Sequence, residues 1–392
     1  MTQIFQQFRT WLWETRSFWF SWFTKDEGEL QPPEKSLIEI PLELREKLVA
    51  AIQNLPINSA EQQAIESALD EALENWLAHP ENADNSIIFL SSPVSSVSRI
   101  LTESLGYWSQ KQAVSLKILP WNSRPQAPEE IEAKLRQHLG SESKNPKSEI
   151  VIIPNLNWCF LRCVEGLDGI DYLQNLFLKN RSRFWIIASG QVAWQYLKSV
   201  CSLQAYCPQT ITLSKLDGEE LQTWLEPIVK DLEITFASPN LDAQLFDEDQ
   251  SHQKQYFNKL ADISEGVSTV AVQVFLNSIA YQPPDAQEEL EEQEKTESAS
   301  GKLEAQTPKL PSLPPLEQQD YYLLFSLLLH GDIITSSTLA KSLGDEQHKV
   351  QDRVQILRRK GIIEQRNQVL KINPIYYPKL KRELAKNNFI VS

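Results

Sequence analysis

The sequence predicts an α/β protein with a three-layer, doubly wound parallel sheet, a small helical lid and a C-terminal winged-helix domain. Five short apolar runs rich in β-formers, at 86–91, 115–119, 149–153, 184–188 and 210–213, alternate with helical patterns. Strands that are apolar along their whole length and separated by helices are typical of a parallel sheet covered on both faces. Ligands of such sheets bind beyond the carboxyl ends of the strands.

Helical periodicity predicts the elements around these strands. Six helices are expected, at 41–54, 59–78, about 95–110, 128–139, 167–180 and 191–200. Ser59 and Gln62 predict a capping box for the second of them. Residues 253–281 show two apolar helical faces that break near Gly266, which predicts the small helical lid.

The end of the chain follows the element order of a winged helix. Helical patterns at 318–330, 335–344 and 345–360 precede two short strand patterns, which flank a polar turn at Arg366. A closing helix carries Lys379, Lys381, Arg382 and Lys386. Residues 318–392 hold 12 Lys and Arg against 7 Asp and Glu, so this domain is basic within a chain of net charge −14.

Composition divides the chain into five parts. Residues 283–317 hold nine acidic side chains, three basic ones and six prolines, with few large apolar residues, which predicts a disordered linker. The predicted parts are an aromatic N-terminal helix at 1–33, the α/β domain at 34–232, the helical lid at 233–282, the acidic Pro-rich disordered linker at 283–317 and the winged helix at 318–392.

The first 23 residues hold nine aromatic side chains and four of the eleven tryptophans. Their helical spacing predicts an amphipathic helix, and its charge-free runs are far shorter than the ~20 residues that span a bilayer. Two interpretations stay open: an in-plane helix at a membrane surface, and docking into a groove of a globular domain. Either would use the aromatic face, with contacts expected from Phe5, Phe8, Trp11, Trp19, Trp22 and Phe23.

Four segments follow the element order of a known family. The first strand IIFLS enters SPVSSVSRILTESL, the third strand EIVII enters PNLNWCFLR, and the fourth strand FWIIA enters SGQVAWQYL. LSKLDGEELQTWLEPI then follows as the exit from the fifth strand and the helix before the lid. In this order residues 40–282 resemble a P-loop NTPase of the AAA+/STAND type. The resemblance implies a phosphate loop after the first strand and Walker B acids after the third.

The residues at these two positions depart from the family. Phosphate loops need glycine for backbone N–H groups to reach the phosphates, and lysine for the charge. The segment 91–99 has neither, and Pro93 removes one N–H donor. Residues 154–157 (Pro-Asn-Leu-Asn) offer no carboxylate. We therefore expect a pseudo-ATPase without catalytic residues, whose vestigial nucleotide site comprises Ser92, Ser95, Ser96, Ser98, Arg99 and Asn155.

The winged helix has two interpretations. Its third helix and wing could contact DNA, or a protein, through Lys349, Arg353, Arg358, Arg359 and Arg366. The modest basic excess, the acids near the third helix and the acidic body favour a protein-docking module over DNA.

These observations predict a non-catalytic AAA+/STAND-like scaffold or regulatory adaptor. It would bind unidentified protein partners at a membrane surface through residues 1–23, with nucleic acid the weaker alternative and homo-oligomerisation left open. We expect no cofactor and no metal, since the four cysteines complete no zinc motif. The alternatives are an ATP-binding switch with an atypical phosphate loop, using ATP or ADP, and a DNA-binding regulator. The expected location is cytoplasmic, or peripheral on the membrane.

Overall fold

The computed structural model describes residues 40–79, 84–95, 97–111, 116–121, 123–140, 149–237, 248–283, 301–331 and 334–390. The predicted aromatic helix, with its contact residues Phe5, Phe8, Trp11, Trp19, Trp22 and Phe23, lies outside these residues, as does Ser96. Within the described chain, no helix combines the length and hydropathy needed to cross a membrane.

A five-stranded parallel sheet forms the centre of the molecule. Its strands are β1 (Ser86–Ser91), β2 (Leu116–Ile118), β3 (Glu149–Ile153), β4 (Arg183–Gly190) and β5 (Thr210–Thr212). They lie in the order β2-β3-β4-β1-β5, and all pairs are parallel. This sheet confirms the predicted fold class and fits the P-loop NTPase fold.

Helices before, between and after the strands cover both faces of the sheet. They are α1 (Leu42–Gln53), α2 (Ser59–Ala78), α3 (Val97–Lys111), α4 (Pro128–Leu139), α5 (Asp168–Lys179), α6 (Gln191–Val200), α7 (Leu203–Tyr206) and α8 (Gly218–Asp231). The capping of α2 differs from the prediction: its N-cap is Asn58, whose side chain accepts a hydrogen bond from Ala60 N at 2.8 Å. Asn58 is one residue earlier than Ser59 and has the extended backbone that an N-cap needs.

Alternating side chains of the central strands build two separate cores. Ile87 and Phe89 of β1 pack with α2 and α3 on one face, whereas Ile88 and Leu90 pack on the other. The second core continues without a break into the lid and the C-terminal part of the chain. The domains predicted from the sequence therefore share one hydrophobic core on this face.

The lid consists of α9 (Glu248–Ser264), α10 (Ser268–Ser278) and a small sheet. In that sheet β8 (Lys302–Ala305) lies between β6 (Thr235–Phe236), to which it is parallel, and β7 (Ile279–Gln282), to which it is antiparallel. The last predicted lid residues are thus a strand, and β8 falls inside the predicted disordered linker.

The disorder prediction is wrong for residues 301–317. Leu303 and Ala305 of β8 are 2 % and 1 % exposed, so this short run buries more apolar surface than its acidic surroundings suggested. The proline-rich segment that follows (residues 306–317) runs from β8 to the C-terminal helices. Leu310, Leu313 and Leu316, each three residues apart, pack against the core, which matches the three-residue turn of an extended Pro-rich chain.

The C-terminal module (residues 318–390) has the predicted element order and is compatible with a winged-helix domain. Its elements are α11 (Gln318–His330), β9 (Ile334–Thr335), α12 (Ser336–Leu343), α13 (Gln347–Arg359), β10 (Ile363–Arg366), β11 (Val369–Ile372) and α14 (Tyr377–Lys386). Asn367 and Gln368 join β10 to β11 with φ of 46° and 68°, the left-handed geometry of a tight hairpin turn.

The burial of Leu303 gives a test of the corrected linker. Leu303→Ala should lower the free energy of unfolding by about 2–4 kcal/mol, because it leaves a cavity in the shared core. Lys302→Ala, in the same strand but exposed, should change it by less than ~0.5 kcal/mol. Urea denaturation of both variants measures the difference. Equal, negligible effects would show that residues 302–305 do not pack as described.

Candidate functional site

The candidate site lies at the carboxyl edge of the sheet, where β1, β3 and β4 end. It is a cavity of about 10 Å³, room for about one water molecule. Its walls come from three chain segments of the sheet edge and from the C-terminal module. The lining residues are Ser92, Pro93, Ser95, Val97, Ser98, Asn155, Asn157, Gly190 and Gly331.

Four predicted site residues meet in this cavity. Ser92, Ser95, Ser98 and Asn155 all line it, as the resemblance implies for the residues after the first and third strands. Arg99 does not line it. Its Nη2 donates to Leu55 O at 2.9 Å, and its Nε pairs with Glu103 at 2.8 Å, which turns the guanidinium toward a different cavity.

The two asparagines after β3 join neighbouring segments instead of facing a ligand. Asn155 Oδ1 accepts from Asn157 N at 3.1 Å, which fixes a tight turn. Asn157 Oδ1 accepts from Ser189 Oγ at 3.0 Å and from Gly190 N at 3.2 Å at the end of β4. These bonds occupy the acceptor oxygens where a P-loop NTPase of this type would place carboxylates.

The C-terminal module closes the cavity with the end of α11. Gly331, which follows that helix, has φ of 64°, a conformation that favours glycine. A Cβ at this position would come within 2.8 Å of Asn157 Nδ2. The backbone of Gly331 therefore lies directly against Asn157 and leaves no room for a side chain at this position.

Arg124 is a buried charge at the same junction. It is 6 % exposed, and its guanidinium donates to the carbonyls of Asn157 and Phe160 and, at 3.1 Å, to that of His330. Burial lowers the pKa of Arg124 to about 9, so it remains a cation at neutral pH. No carboxylate pairs with it in the part of the chain described here.

The position of Arg124 suits the end of a helix. His330 is the last residue of α11, and the last carbonyls of a helix lack partners within it and carry partial negative charge. Because the same guanidinium also bonds the turn after β3, Arg124 joins the central sheet to the C-terminal module through backbone atoms alone.

His330 adds a second polar link across this junction. Its Nε2 accepts from Arg162 N at 3.4 Å and lies 3.0 Å from Ser342 Oγ. Burial, with Arg124 and Arg162 nearby, holds the pKa of His330 well below its usual value, so the imidazole is neutral. A neutral ring avoids placing a second positive charge beside Arg124.

The lid and α14 also hold the loop after β1. Thr269 Oγ1 of α10 donates to Val94 O at 3.2 Å. Tyr377, buried at the start of α14, lies next to Ser92, and burial raises the pKa of its phenol to about 12. The loop therefore has partners from the lid and from the C-terminal module.

These residues do not fit a nucleoside triphosphate with Mg²⁺. A cavity of about 10 Å³ holds no phosphate chain, and Pro93 lacks the N–H that a phosphate loop would offer. The cavity lining contains neither a lysine nor a carboxylate. Over the whole described chain, no three His, Cys, Asp or Glu side chains cluster in a way that could bind a metal ion.

The predicted contact residues of the C-terminal module are partly committed to its own fold. Arg353 pairs with Asp320 at 2.5 Å, a fully buried carboxylate, and with Glu317 at 2.8 Å. Lys349 pairs with Glu346 at 3.2 Å at the exposed start of α13. Arg353 is thus a structural residue that links α13 to α11.

The other three predicted contacts lie toward the end of α13 and in the hairpin. Arg358 Nη1 donates to Gln355 Oε1 at 3.1 Å, Arg359 is exposed, and Arg366 is half-buried at the end of β10. Of the five predicted contacts, Lys349 and Arg353 thus form ion pairs within the module, and Arg358 donates to a neighbouring side chain.

No protein-family model matches the sequence, and a search of curated proteins finds no match. Solved structures with related folds include Cdc6p from Pyrobaculum aerophilum, at TM-score 0.37 and 13 % identity over 86 % of this chain and 96 % of that one. The ORC2 protein of Aeropyrum pernix matches with a TM-score of 0.35 and 12 % identity, over 93 % of this chain and 96 % of that one. The RuvB Holliday junction branch migration motor of Thermotoga maritima matches with a TM-score of 0.30 and 13 % identity, over 82 % of this chain and 94 % of that one.

Sequence reasoning missed the residues that close the site. Arg124 and Gly331 are single residues whose partners are backbone atoms or distant in sequence, so no spacing pattern identifies them. Asn157 was noted only as a missing carboxylate. The available signal was the pairing of two asparagines, Asn155 and Asn157, which favours a side-chain-capped turn.

The role of Arg124 can be measured directly. Arg124→Met should lower the free energy of unfolding by about 3–5 kcal/mol, since it leaves three buried carbonyls without a donor. Arg136→Met is the control: its side chain is 64 % exposed in a helical pair with Glu132, and its loss should leave the free energy of unfolding nearly unchanged. Denaturation gives the energies, and amide exchange should show faster opening of residues 318–390. Equal effects of the two variants would contradict the assigned role.

Proposed function

We propose that this chain is a non-catalytic AAA+/STAND-like scaffold or regulatory adaptor that binds protein partners. One observation supports the proposal: at the sheet edge, where the resemblance to a P-loop NTPase would imply a phosphate site, Asn157 and Gly331 line a cavity of only about 10 Å³. A site filled by the chain's own backbone gives rigidity to the junction between domains and offers no space for hydrolysis.

Protein partners are favoured over DNA by the state of the C-terminal module. Arg353 lies in an ion pair with the buried Asp320, and Lys349 is paired with Glu346, so two of the five predicted contacts are engaged within the chain. Glu364 and Lys371 of the β10–β11 hairpin line a cavity against α1, α2 and the lid. The hairpin thus already serves as an intramolecular contact.

Nucleotide binding is the measurement that tests this function. Calorimetric titration of the full chain with ATP and ADP, with Mg²⁺ present, should give no binding heat up to millimolar concentration and no phosphate release. Arg124→Met should also show no binding heat and no phosphate release, because loosening the C-terminal module creates neither the glycines nor the lysine of a phosphate loop.

Two results would contradict the proposal in different ways. Micromolar binding by the unmodified chain would favour the ATP-binding switch with an atypical phosphate loop. Binding by Arg124→Met alone would indicate a switch whose nucleotide site is covered by the C-terminal module.

We also propose that residues 1–23 attach the chain to a membrane surface, with a protein groove as the alternative. The support is the clustering of nine aromatic side chains at helical spacing, with Arg9 and Arg16 at the boundary of the apolar face. Such a helix lies in the headgroup region and would make the chain a peripheral membrane protein.

Liposome co-sedimentation distinguishes these two attachments. The full chain should pellet with mixed phosphatidylcholine–phosphatidylserine vesicles, and Trp19→Ser combined with Trp22→Ser should abolish pelleting, because the apolar anchor is lost. Gln3→Ser combined with Gln6→Ser, on the polar face, is the matched control and should leave pelleting unchanged. Pelleting that survives the tryptophan changes would contradict membrane attachment through this face.

A further inference from the structure

A second, larger cavity lies beside the filled site. It has a volume of about 110 Å³, which on the scale where one water needs ~10–15 Å³ is room for a ligand of several heavy atoms. Helices α1 and α2, the start of α3, the lid helix α10, Trp224 of α8 and the β10–β11 hairpin enclose it. The polar lining residues are Asn58, Glu61, Arg99, Ser268, Thr269, Gln273, Glu364 and Lys371.

Glu61 is the exceptional group in this cavity. Its side chain belongs to a residue only 7 % exposed, and it accepts one long hydrogen bond, from Ser268 Oγ at 3.5 Å. Glu61 stands at the third position of α2, where a glutamate commonly bonds back to the N-cap backbone. Here Asn58 caps the helix without that reciprocal bond, and the carboxyl group lines the cavity instead.

The other charges around the cavity are compensated. Arg99 pairs with Glu103 at 2.8 Å and donates to Leu55 O, and Lys371 lies 3.7 Å from Glu364. Glu61 has no ion pair within 4 Å in the described structure. A buried carboxylate with so few donors is costly, because its lost hydration is not replaced.

The electrostatics of the site confirm this deficit. Burial raises the pKa of Glu61 to about 7, and Glu220 adds to the increase while Arg99 opposes it. Counting the groups that face or adjoin the cavity, the carboxyl groups of Glu61, Glu103, Glu220 and Glu364 outnumber the cations of Arg99 and Lys371. Carboxyl groups are therefore in excess over cations in and around this cavity.

The cavity lining also includes the aromatic side chain of Trp224. The indole of Trp224 is half-buried, and its Nε1 donates to Pro56 O at 2.7 Å, which fixes the ring at the cavity wall. The face of a tryptophan attracts a cation, with a contribution of about 0.5–2 kcal/mol that grows as the cation loses water. A carboxyl group and an indole around a small cavity suit a compact organic cation.

We propose that this cavity binds a small organic cation, an amine, amidine or guanidine, whose N–H groups pair with Glu61 while its charged group packs beside Trp224. Bound there, the ligand would contact α2, α8, the lid and the hairpin of the C-terminal module together. It would add the donors that Glu61 lacks and would stabilise the docked arrangement by binding only the folded chain.

Calorimetry of the full chain with methylguanidinium as the probe tests the proposal. We expect binding that Glu61→Gln weakens at least tenfold, because the change removes the charge and keeps the shape. Glu71→Gln, an exposed position on α2, should bind like the unmodified chain. N-methylurea, an uncharged molecule of nearly the same shape, should not bind.

The pH dependence supplies a second readout. A permanent cation binds the ionised carboxyl group, so affinity should rise about tenfold per pH unit from pH 5 to 7 and then level off. Burial also raises the pKa of Glu364, so the contribution of Glu61 is the difference between the unmodified chain and Glu61→Gln.

The outcomes separate this proposal from the proposed function. The proposal would be overturned if Glu61→Gln bound methylguanidinium as tightly as the unmodified chain, if N-methylurea bound as tightly as methylguanidinium, or if methylguanidinium did not bind. None of these results bears on the small cavity at the sheet edge. Competition by ADP or adenosine would instead assign the cavity to a nucleotide base and would overturn both proposals. Thermal unfolding of each variant verifies that it is folded before titration.

Discussion

The guanidinium of Arg124 sits where three parts of the fold meet. Two of its carbonyl partners belong to the turn after β3, and the third is the last carbonyl of α11. A buried cation without a carboxylate is tolerated only when several dipoles converge on it. The sheet edge and the C-terminal module supply those dipoles jointly. The interface is therefore part of the condition for burying Arg124. Burial, with the charge of Arg124 nearby, lowers the pKa of His330 and keeps its ring neutral.

Several parts of the chain enclose the loop after β1 at the carboxyl edge of the sheet. Open phosphate loops keep backbone N–H groups unsatisfied until a ligand arrives, which demands glycine and a strained turn. Here Pro93 removes one such donor, and Thr269, Tyr377 and Gly331 enclose the same loop. The carboxyl edge of the sheet thereby forms a packing surface for the lid and the C-terminal module.

The sequence allowed the elements to be predicted well and the contacts between them poorly. Apolar runs such as 149–153 identify buried strands because burial on both faces leaves no polar alternation. The turn at Asn367 was readable because a tight hairpin needs residues that accept positive φ. The bonds of Arg124 and Asn157 were not readable, because backbone carbonyls have no sequence identity. The linker was misjudged because its composition averaged acidic residues with the leucines at 310, 313 and 316.

The cavity beside Glu61 was equally invisible in the sequence. Its carboxyl group occupies a position where a glutamate ordinarily supports a helix start, and only the packing of α10 and the hairpin encloses it. The sequence predicted that the serines after the first strand lie near one another, and those described line one cavity at the sheet edge. It could not show that the Arg99 side chain points away from this cavity, because its hydrogen-bond acceptor, Leu55 O, is a backbone atom.

The length of the proline-rich segment 306–317 determines how far the C-terminal module could move if a partner displaced it. Twelve residues of extended, Pro-rich chain reach about 37 Å, so a released module stays near its docking surface. Tethered in this way, it acts at an effective concentration in about the millimolar range. A competing protein must overcome that local excess, and when it dissociates the module returns without a diffusional search. The segment thus makes the closed arrangement the resting state and confers rapid reversibility on any opening.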